Sequence, residues 1–393
     1  MPLTRRALLR GPRLEPTLSA LATMIAARGH EEALAAGAAP VPANADAIRI
    51  SGNENPLGPG PRALEAVIAA LEQSGRYPFN SHPGGSDLTA AIAERFDADP
   101  EQIVVGAGSS EILRNAVRVF AGGGRHVLTA DPSYGSPVTE STKLGYTCLQ
   151  VPVDSELRLD LDAMASRARG AGFVYLCNPN NPTATIHLPA AIENFIAAIR
   201  RAAPEALILV DEAYHDYVTD PGHRSMIPLA LSEPNVVVAR TFSKAYGMAG
   251  LRLGFGIGHR DAIETLRRYK LSANANVLAI AAGVASLRDP GHIERERERN
   301  REARTFTRAF FDKAGYRSTE SQTNFLFVEL RRPAKGFRDA CGKRNVVVGR
   351  DFPPMEKTHC RISIGTMEEM RRACDVFAEV LDIAATDAAG GVQ

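Results

Sequence analysis

The chain has 393 residues, 45% of them hydrophobic, with 46 lysines and arginines against 45 aspartates and glutamates. This length accommodates one large domain and a smaller one, and the balanced charge argues against nucleic acids or membranes as partners, because both attract a basic surplus. The five cysteines are dispersed without a Cys-x-x-Cys pair, and no apolar stretch reaches about 18 residues, so we expect no bound metal, disulfide framework or membrane span.

The first 45 residues form a leader that we keep apart from the predicted fold. Thr4–Arg10 resembles a twin-arginine export signal, and a mildly apolar run at Leu18–Ala27 follows it. Charged residues such as Glu31 and Glu32 interrupt the pattern that a cleaved signal requires. We therefore favour a cytoplasmic protein slightly, keep the periplasm as the alternative, and treat residues 1–45 as either such a signal or a disordered leader.

From residue 91 onward, short β-branched runs alternate with segments of helical spacing. The predicted strands are Ile103–Val105, His126–Thr129, Phe173–Cys177, Leu207–Val210 and Val236–Ala239. Helices are predicted at Glu111–Phe120 and Pro189–Ala202. Continuous apolar runs that alternate with helices are typical of a parallel sheet covered on both faces. Each strand leads into a polar or Gly/Pro-rich segment, so we expect five strand ends to face one ligand-binding crevice.

The pattern changes in the last third of the chain. Glu294–Arg299 alternates acidic and basic residues within Ile293–Phe311, and we interpret it as the exposed face of a long helix, because mixed charges cancel each other's field. Further β-runs lie at Phe325–Val328, Val346–Val348 and Arg361–Ile364. We therefore predict an α/β protein with a large domain at 75–285, whose mainly parallel sheet has helices on both faces. A smaller α+β domain would comprise 46–74 and 286–386.

The segment Thr241–Gly254 carries the most chemical information. Lys244 directly follows a predicted buried strand, and a charged lysine at such a position is unusual unless it has a specific role. Beside an arginine and hydroxyl groups its amine should have a lowered pKa and act as a nucleophile. Arg252 and the hydroxyls of Thr241 and Ser243 supply the donors that an anionic phosphate requires. The segment therefore predicts a lysine nucleophile next to a phosphate site.

This segment resembles the cofactor-lysine motif of the class I/II aminotransferases, the fold-type I enzymes that use pyridoxal 5′-phosphate (PLP). Asn180–Thr183 resembles the N-N-P-T-G motif of that family, and Asp211–Tyr214 resembles its D-E-A-Y motif. Asn53–Pro59 and Arg76–Pro78 are similar to the N-terminal region of the histidinol-phosphate aminotransferase branch. The resemblance covers roughly residues 48–385.

The resemblance implies a cofactor role for each matching residue. Lys244 would hold PLP as a Schiff base and shuttle the substrate proton. Asp211 would pair with the pyridinium nitrogen and keep it protonated. Asn181 and Tyr214 would donate to the phenolate oxygen, and Tyr134 would stack on the ring.

The resemblance also implies how the cofactor phosphate would be held. The backbone amides of Ser109 and Ser110 would do so at the start of a helix. They would act together with Thr241, Ser243 and Arg252.

Three further residues would complete the site. Tyr77 would reach the phosphate of the neighbouring subunit's cofactor, which makes the implied unit a homodimer. Arg361 matches the arginine that grips the acidic group of the substrate, and Arg350 matches an auxiliary arginine of the histidinol-phosphate branch. The implied reaction moves an amino group between a small-molecule amino donor, with histidinol phosphate favoured, and a 2-oxo acid, 2-oxoglutarate.

Other functions stay open at this point. An aromatic amino-acid aminotransferase, or a PLP-dependent decarboxylase or cyclase, would share the cofactor residues, because the cofactor does the chemistry in all of them. A nucleotide-binding dehydrogenase is disfavoured, since Glu111 stands where G-x-G-x-x-G requires its third glycine. A degenerate PLP-binding sensor is disfavoured by the intact Lys244 and by a leader without a helix-turn-helix pattern.

Two positions depart from the family pattern. Ala184 replaces the glycine of N-N-P-T-G, and it would be strained if that position requires a positive φ. Leu57 stands where the branch often carries an aromatic residue, so the substrate pocket is expected to differ there.

Overall fold

The computed structural model describes residues 46–78 and 87–383. The predicted leader, with its export signal, lies outside the described residues. None of the helices within these ranges combines the length and the apolar character that crossing a membrane requires.

The described residues form both strands and helices. The strands are β1 Ile48–Ile50, β2 Ile103–Gly106, β3 His126–Asp131, β4 Cys148–Pro152, β5 Ala171–Cys177, β6 Leu207–Asp211, β7 Val236–Thr241, β8 Gly254–Gly258, β9 Arg317–Ser318, β10 Phe325–Glu329, β11 Val346–Val348 and β12 His359–Ser363. The α-helices are α1 Pro61–Ala70, α2 Asp87–Phe96, α3 Ser109–Phe120, α4 Ser136–Leu144, α5 Leu161–Ser166, α6 Pro189–Ala202, α7 Ile227–Ser232, α8 Arg260–Arg267, α9 Val277–Leu287, α10 Pro290–Lys313, α11 Ala334–Gly342 and α12 Met367–Val380.

A seven-stranded sheet with the order β2-β8-β7-β6-β5-β3-β4 forms the centre of the described chain. β8 runs antiparallel to both of its neighbours, and the other pairs are parallel. The five predicted strands, β2, β3, β5, β6 and β7, therefore run in one direction and end at one edge. This confirms the predicted α/β fold with its mainly parallel sheet.

Two strands of this sheet were not predicted, for different reasons. β4 lies at the sheet edge and is mostly exposed or half-buried, so it lacks the continuous apolar run of a central strand. β8 reads Gly-Phe-Gly-Ile-Gly, and glycine lowers strand propensity. Its Gly254 is required by packing, because a Cβ there would lie 2.3 Å from the amide nitrogen of Ser109.

Helices cover both faces of the central sheet, as the sequence predicts. Along β6, Ile208 and Val210 belong to one buried cluster, and Leu207 and Leu209 belong to another. The first cluster includes residues of α1, α2, α5, α6, α7 and α9, and the second includes residues of α3 and α8. This alternation places an apolar layer on each side of the sheet, which is the usual arrangement of doubly covered strands.

A second core forms around smaller sheets. β9, β10 and β12 make an antiparallel sheet, and β1 pairs with β11 in parallel. Their apolar residues pack with α10, α11 and α12 in a separate buried cluster. Residues 46–74 contribute to both cores, since β1 joins this one while Ala63 and Val67 of α1 lie in the core of the central sheet. The exact domain boundaries stay a prediction.

The charged run of α10 is only partly solvent-exposed. Glu294, Arg295, Glu298 and Arg299 are exposed, as predicted for the outer face of a helix. Glu296 is an exception, because it is buried and accepts a hydrogen bond from the Asn55 side-chain amide at 3.1 Å. The interpretation of this run as entirely exposed is therefore wrong at Glu296, where α10 packs against the N-terminal segment of the fold.

Candidate active site

The predicted site residues gather at the carboxyl edge of the central sheet. Ser109 and Ser110 follow β2, Tyr134 follows β3, Asn181 follows β5, Asp211 ends β6, and Lys244 follows β7. Because these strands run in one direction, their ends meet at one edge. The side chains are close enough to interact, since the hydroxyls of Ser110 and Tyr134 lie 3.4 Å apart.

A cradle for an anion forms where α3 begins beside the loop after β7. The Arg252 guanidinium donates to Ser243 Oγ at 3.3 Å, and Ser243 donates its backbone N–H to Thr241 Oγ1 at 3.1 Å. Gly108 precedes α3 with φ 77°, and a Cβ there would lie 2.4 Å from a terminal nitrogen of Arg252. Glycine thus lets the guanidinium approach the helix start, where free N–H groups favour a phosphate.

Lys244 lies half-buried beside this cradle. Its Nζ donates to the carbonyl oxygen of Gly52 at 3.3 Å and lies 5.6 Å from the centre of the Tyr214 ring. Burial, with a smaller contribution from the nearby Arg361 guanidinium and against the opposing effect of Glu54, lowers the pKa of the Lys244 amine to about 8. An amine with this pKa is partly neutral near physiological pH, which is the form that attacks a carbonyl carbon.

Asp211 is a buried carboxyl with both of its oxygens engaged. Oδ2 accepts a hydrogen bond from the Tyr175 hydroxyl at 2.7 Å, and Oδ1 accepts from the Ala213 backbone N–H at 3.1 Å. Burial raises the pKa of Asp211 to about 6, while these two donors act in the opposite direction. The carboxyl is therefore mostly ionised at neutral pH and suits a protonated ring nitrogen as its partner.

The Tyr214 hydroxyl lies at the centre of a small amide network. It accepts hydrogen bonds from Asn53 Nδ2 at 3.0 Å and from Asn181 Nδ2 at 3.2 Å. Burial raises the pKa of Tyr214 above its ordinary value, so the hydroxyl keeps its proton. With its lone pairs occupied, this hydroxyl is suited to donate its proton to an oxygen anion.

Arg361 projects from β12 into the same network. Its guanidinium donates to Asn181 Oδ1 at 2.8 Å and to the carbonyl oxygen of Ser51 at 2.7 Å. Its Nε is buried and has no hydrogen-bond partner among the described residues. Burial lowers the pKa of Arg361 to about 10, so the group keeps its positive charge at neutral pH. A buried cation with an unused donor is suited to bind an acidic ligand.

Arg350 and Arg361 share an aromatic neighbour. The guanidinium carbons of both lie 4.8 Å from the centre of the Phe352 ring. Arg361 also lies 5.5 Å from the ring centre of Phe325. Sequence reasoning identified both arginines and missed the aromatic residues that hold them.

Tyr77 is the predicted site residue that the structure does not place in this network. It follows the short helix at Leu71–Gly75, and it is 76% exposed. This position agrees with a role outside its own subunit's site, which stays a prediction.

Ala184 adopts the left-handed backbone that its family motif reserves for glycine. Its φ is 64°, and its side chain is fully buried. The strain costs about 1–2 kcal/mol for a residue with a Cβ. Glycine would remove that strain, but it would lose about 0.8 kcal/mol of methyl burial and add about 0.4–1 kcal/mol of unfolded-state entropy. The opposing terms nearly cancel, which explains why alanine is tolerated.

We therefore expect Ala184→Gly to change the free energy of unfolding by less than about 1 kcal/mol. Ala303→Gly is the matched control, because this buried alanine lies within α10. Replacing it loses the buried methyl group and places glycine in a helix interior, which should lower the free energy of unfolding by about 2 kcal/mol in total. Urea denaturation measures both. Equal destabilisation by the two variants would contradict strain at Ala184.

The polar groups at this edge fit PLP. The cradle at Arg252, Ser243 and the start of α3 suits its phosphate, and Asp211 suits its pyridine nitrogen. Lys244, which is close enough to both Arg252 and Asp211 for their charges to affect its pKa, would supply the amine for its aldehyde. When bound, PLP supplies an electron-accepting ring to the bonds at the substrate's reacting carbon.

Comparison with known proteins agrees with this assignment. The profile of the family described as "Aminotransferase class I and II" matches residues 45–377. A histidinol-phosphate aminotransferase from Symbiobacterium thermophilum is 36% identical over 341 residues, covering 86% of this chain and 91% of that protein. One from Moorella thermoacetica is 33% identical, covering 86% of each chain.

Solved structures show the same similarity. The histidinol-phosphate aminotransferase from Sinorhizobium meliloti, in complex with pyridoxal 5′-phosphate, has a TM-score of 0.78 and 26% identity, covering 86% of this chain and 91% of that one. The family profile's match at residues 45–377 includes every site residue discussed above. The chain belongs to the class I and II aminotransferases and is a PLP-dependent enzyme of that family.

Proposed function

We propose that this enzyme transfers the amino group of histidinol phosphate to 2-oxoglutarate. The observation that carries the proposal is the pair Arg350 and Arg361, whose guanidinium carbons both lie 4.8 Å from the centre of the Phe352 ring, with Arg361 bonded to Asn181. Two guanidinium groups suit a dianionic phosphate, and Arg361 alone suits a carboxylate of the returning 2-oxo acid. The relatives named above support this substrate by their own activity.

The residues of the site would divide the work as follows. Arg361 binds and orients the acidic end of the substrate, while Lys244 takes the proton from the reacting carbon and returns it one atom away. Asp211 holds the charge of the pyridine nitrogen, and Tyr214 donates to the phenolate oxygen. These roles are supported by the contacts of Asp211, Lys244 and Tyr214 at the carboxyl edge of the central sheet and by the bond from Arg361 on β12 to Asn181.

The substrate is tested by a half-reaction. The PLP form of the enzyme is mixed with single amino donors, and loss of its visible absorbance is followed. We expect fast conversion by histidinol phosphate and slow conversion by phenylalanine and tyrosine. The reverse order would favour an aromatic amino-acid aminotransferase. Release of CO₂ from a phosphorylated amino acid, without the amine form of the cofactor, would favour a decarboxylase.

Replacing Arg361 with lysine is expected to raise KM for histidinol phosphate about 10- to 100-fold, with a smaller change in kcat. Lysine keeps the charge but loses the planar fork that donates to Asn181 and to the substrate together, and a hydrogen bond to a charged group is worth about 1.5–3 kcal/mol. Steady-state kinetics measures the effect.

Arg331→Lys is the matched control for that experiment. Arg331 is exposed and lies 5.2 Å from the ring centre of Tyr316, so it shares the aromatic contact without lying in the site. It should leave KM unchanged. An unchanged KM in Arg361→Lys as well would remove Arg361 from substrate binding.

The proposed active unit is a homodimer in which Tyr77 completes the partner's phosphate site. Hybrids of Tyr77→Phe and Lys244→Ala subunits would contain one site in which both native residues meet. We therefore expect the mixture to be more active than either parent variant alone. A fully active monomer in sedimentation experiments, or a mixture with no gain, would contradict the shared site.

A further inference from the structure

Tyr175 is a buried tyrosine that no family motif in the sequence includes. It lies on β5 and is 1% exposed, with its ring packed 6.5 Å from that of Phe173. β5 pairs with β6 so that Cys177 lies opposite Asp211 and Tyr175 lies opposite Leu209. Tyr175 therefore lies two positions before Cys177, the residue paired with Asp211, and its hydroxyl extends along the strand to 2.7 Å from Asp211 Oδ2.

This contact restricts the orientation of the Asp211 carboxyl. An ionised carboxylate has about four acceptor positions on its two oxygens. Tyr175 occupies one on Oδ2, and the Ala213 N–H occupies one on Oδ1. Anchoring both oxygens restricts rotation of the carboxyl and leaves about two acceptor positions for further donors. The distance of 2.7 Å is near the range of a charge-assisted O–H···O⁻ bond.

The charges around Asp211 show what the hydroxyl contributes. The titratable groups that act on it are Tyr175, Glu212 beside it and Lys244 after β7, and Cys177 lies opposite on β5. The pKa of Asp211 is about 6, because burial, and to a smaller extent Glu212, raise it more than the hydrogen bonds from Tyr175 and Ala213 and the charge of Lys244 lower it. Burial also raises the pKa of Tyr175 well above its ordinary value, so this hydroxyl stays a donor.

We propose that Tyr175 is a positioning residue that orients the Asp211 carboxyl and keeps it ionised for a protonated pyridine nitrogen. The proposal rests on the role of Asp211 given above. Tyr175 acts through Asp211 and does not itself touch the cofactor. Phenylalanine would fill the same space but would leave Oδ2 without its buried donor, which favours the protonated carboxyl.

The test begins with the full-length protein stripped of PLP. Infrared difference spectra recorded against pH follow the protonated carboxyl band that Asp211→Asn removes. We expect Tyr175→Phe to raise the midpoint of this band by about one to two pH units above the wild-type value near 6. PLP affinity, measured by equilibrium dialysis at pH 7, should fall about tenfold or more.

A second variant has the opposite expected sign. Site-specific 3-fluorotyrosine at position 175 is a more acidic phenol and a stronger donor, so it should lower the midpoint. Tyr217→Phe removes another buried tyrosine hydroxyl and is the matched control, with no expected shift. A purely structural role for Tyr175 would lower the melting temperature without moving the midpoint in either direction.

The outcomes separate this proposal from the assignment of Asp211. If Asp211→Asn weakens PLP binding while both Tyr175 variants keep the wild-type midpoint and affinity, the proposal for Tyr175 is wrong. If Asp211→Asn itself leaves PLP affinity unchanged, the assignment of Asp211 fails instead. Opposite shifts in the two Tyr175 variants, with unchanged midpoints in Tyr217→Phe, would confirm the positioning role.

Discussion

Replacing Lys244 with alanine is expected to lower kcat by at least about 10⁴-fold. The variant would lose the amine that we propose bonds to the cofactor and moves the substrate proton. The lowered pKa of Lys244 suits both tasks, because a pKa of about 8 leaves a useful fraction of neutral amine near pH 7. Single-turnover kinetics with saturating PLP measures the loss.

Two further variants sharpen this prediction. Lys244→Arg keeps a positive charge at the end of β7 but cannot release a proton, so it should be as inactive as alanine. Lys143→Ala removes an exposed lysine of α4 and should leave kcat unchanged. Residual activity within tenfold of wild type in either Lys244 variant would contradict the assignment.

The second large effect is expected at Asp211. Asp211→Asn replaces a buried ionised carboxyl with a neutral amide, which would remove the charge partner that we propose for the ring nitrogen. Removing one member of a buried charged pair typically costs about 3–5 kcal/mol, which corresponds to a fall in kcat of about 10²–10³-fold or more. Asp211→Glu should recover part of the rate because it restores the charge at a shifted position.

Asp261→Asn is the control for Asp211. Its carboxyl lies at the start of α8, and its side chain is 83% exposed, so the same chemical change should leave kcat unaltered. If Asp211→Asn kept the wild-type rate, Asp211 would not be the partner of the ring nitrogen.

Five of the seven strands of the central sheet were predictable because they are mostly apolar and largely buried. Ile103–Gly106, Leu207–Asp211 and Val236–Thr241 have every residue buried, and each begins with a continuous apolar run and leads into a polar segment. Such runs carry their signal locally in the sequence. The Lys244 and Asp211 motifs follow these strands directly, so their meeting at one edge follows from the parallel order alone.

The contacts that support those motifs were not predictable in the same way. Phe352 is brought to Arg361 by the fold, and Asn53 reaches Tyr214 across 161 positions of the chain. The Tyr175 hydroxyl meets Asp211 only because β5 and β6 are neighbours in register. Phe352 and Tyr175 have no local pattern that distinguishes them from ordinary core residues, and the motif at Asn53–Pro59 does not reveal that Asn53 contacts Tyr214. Pairing between distant segments decides their role.

The most direct test of the account is to locate the covalent bond between cofactor and protein. The PLP-loaded enzyme is reduced with borohydride, digested and analysed by mass spectrometry. We predict that the added cofactor mass lies on the peptide that contains Lys244, and that prior addition of histidinol phosphate, which displaces the lysine, prevents the labelling. Cofactor mass on another lysine, or complete release of PLP after reduction, would contradict the assignment of Lys244.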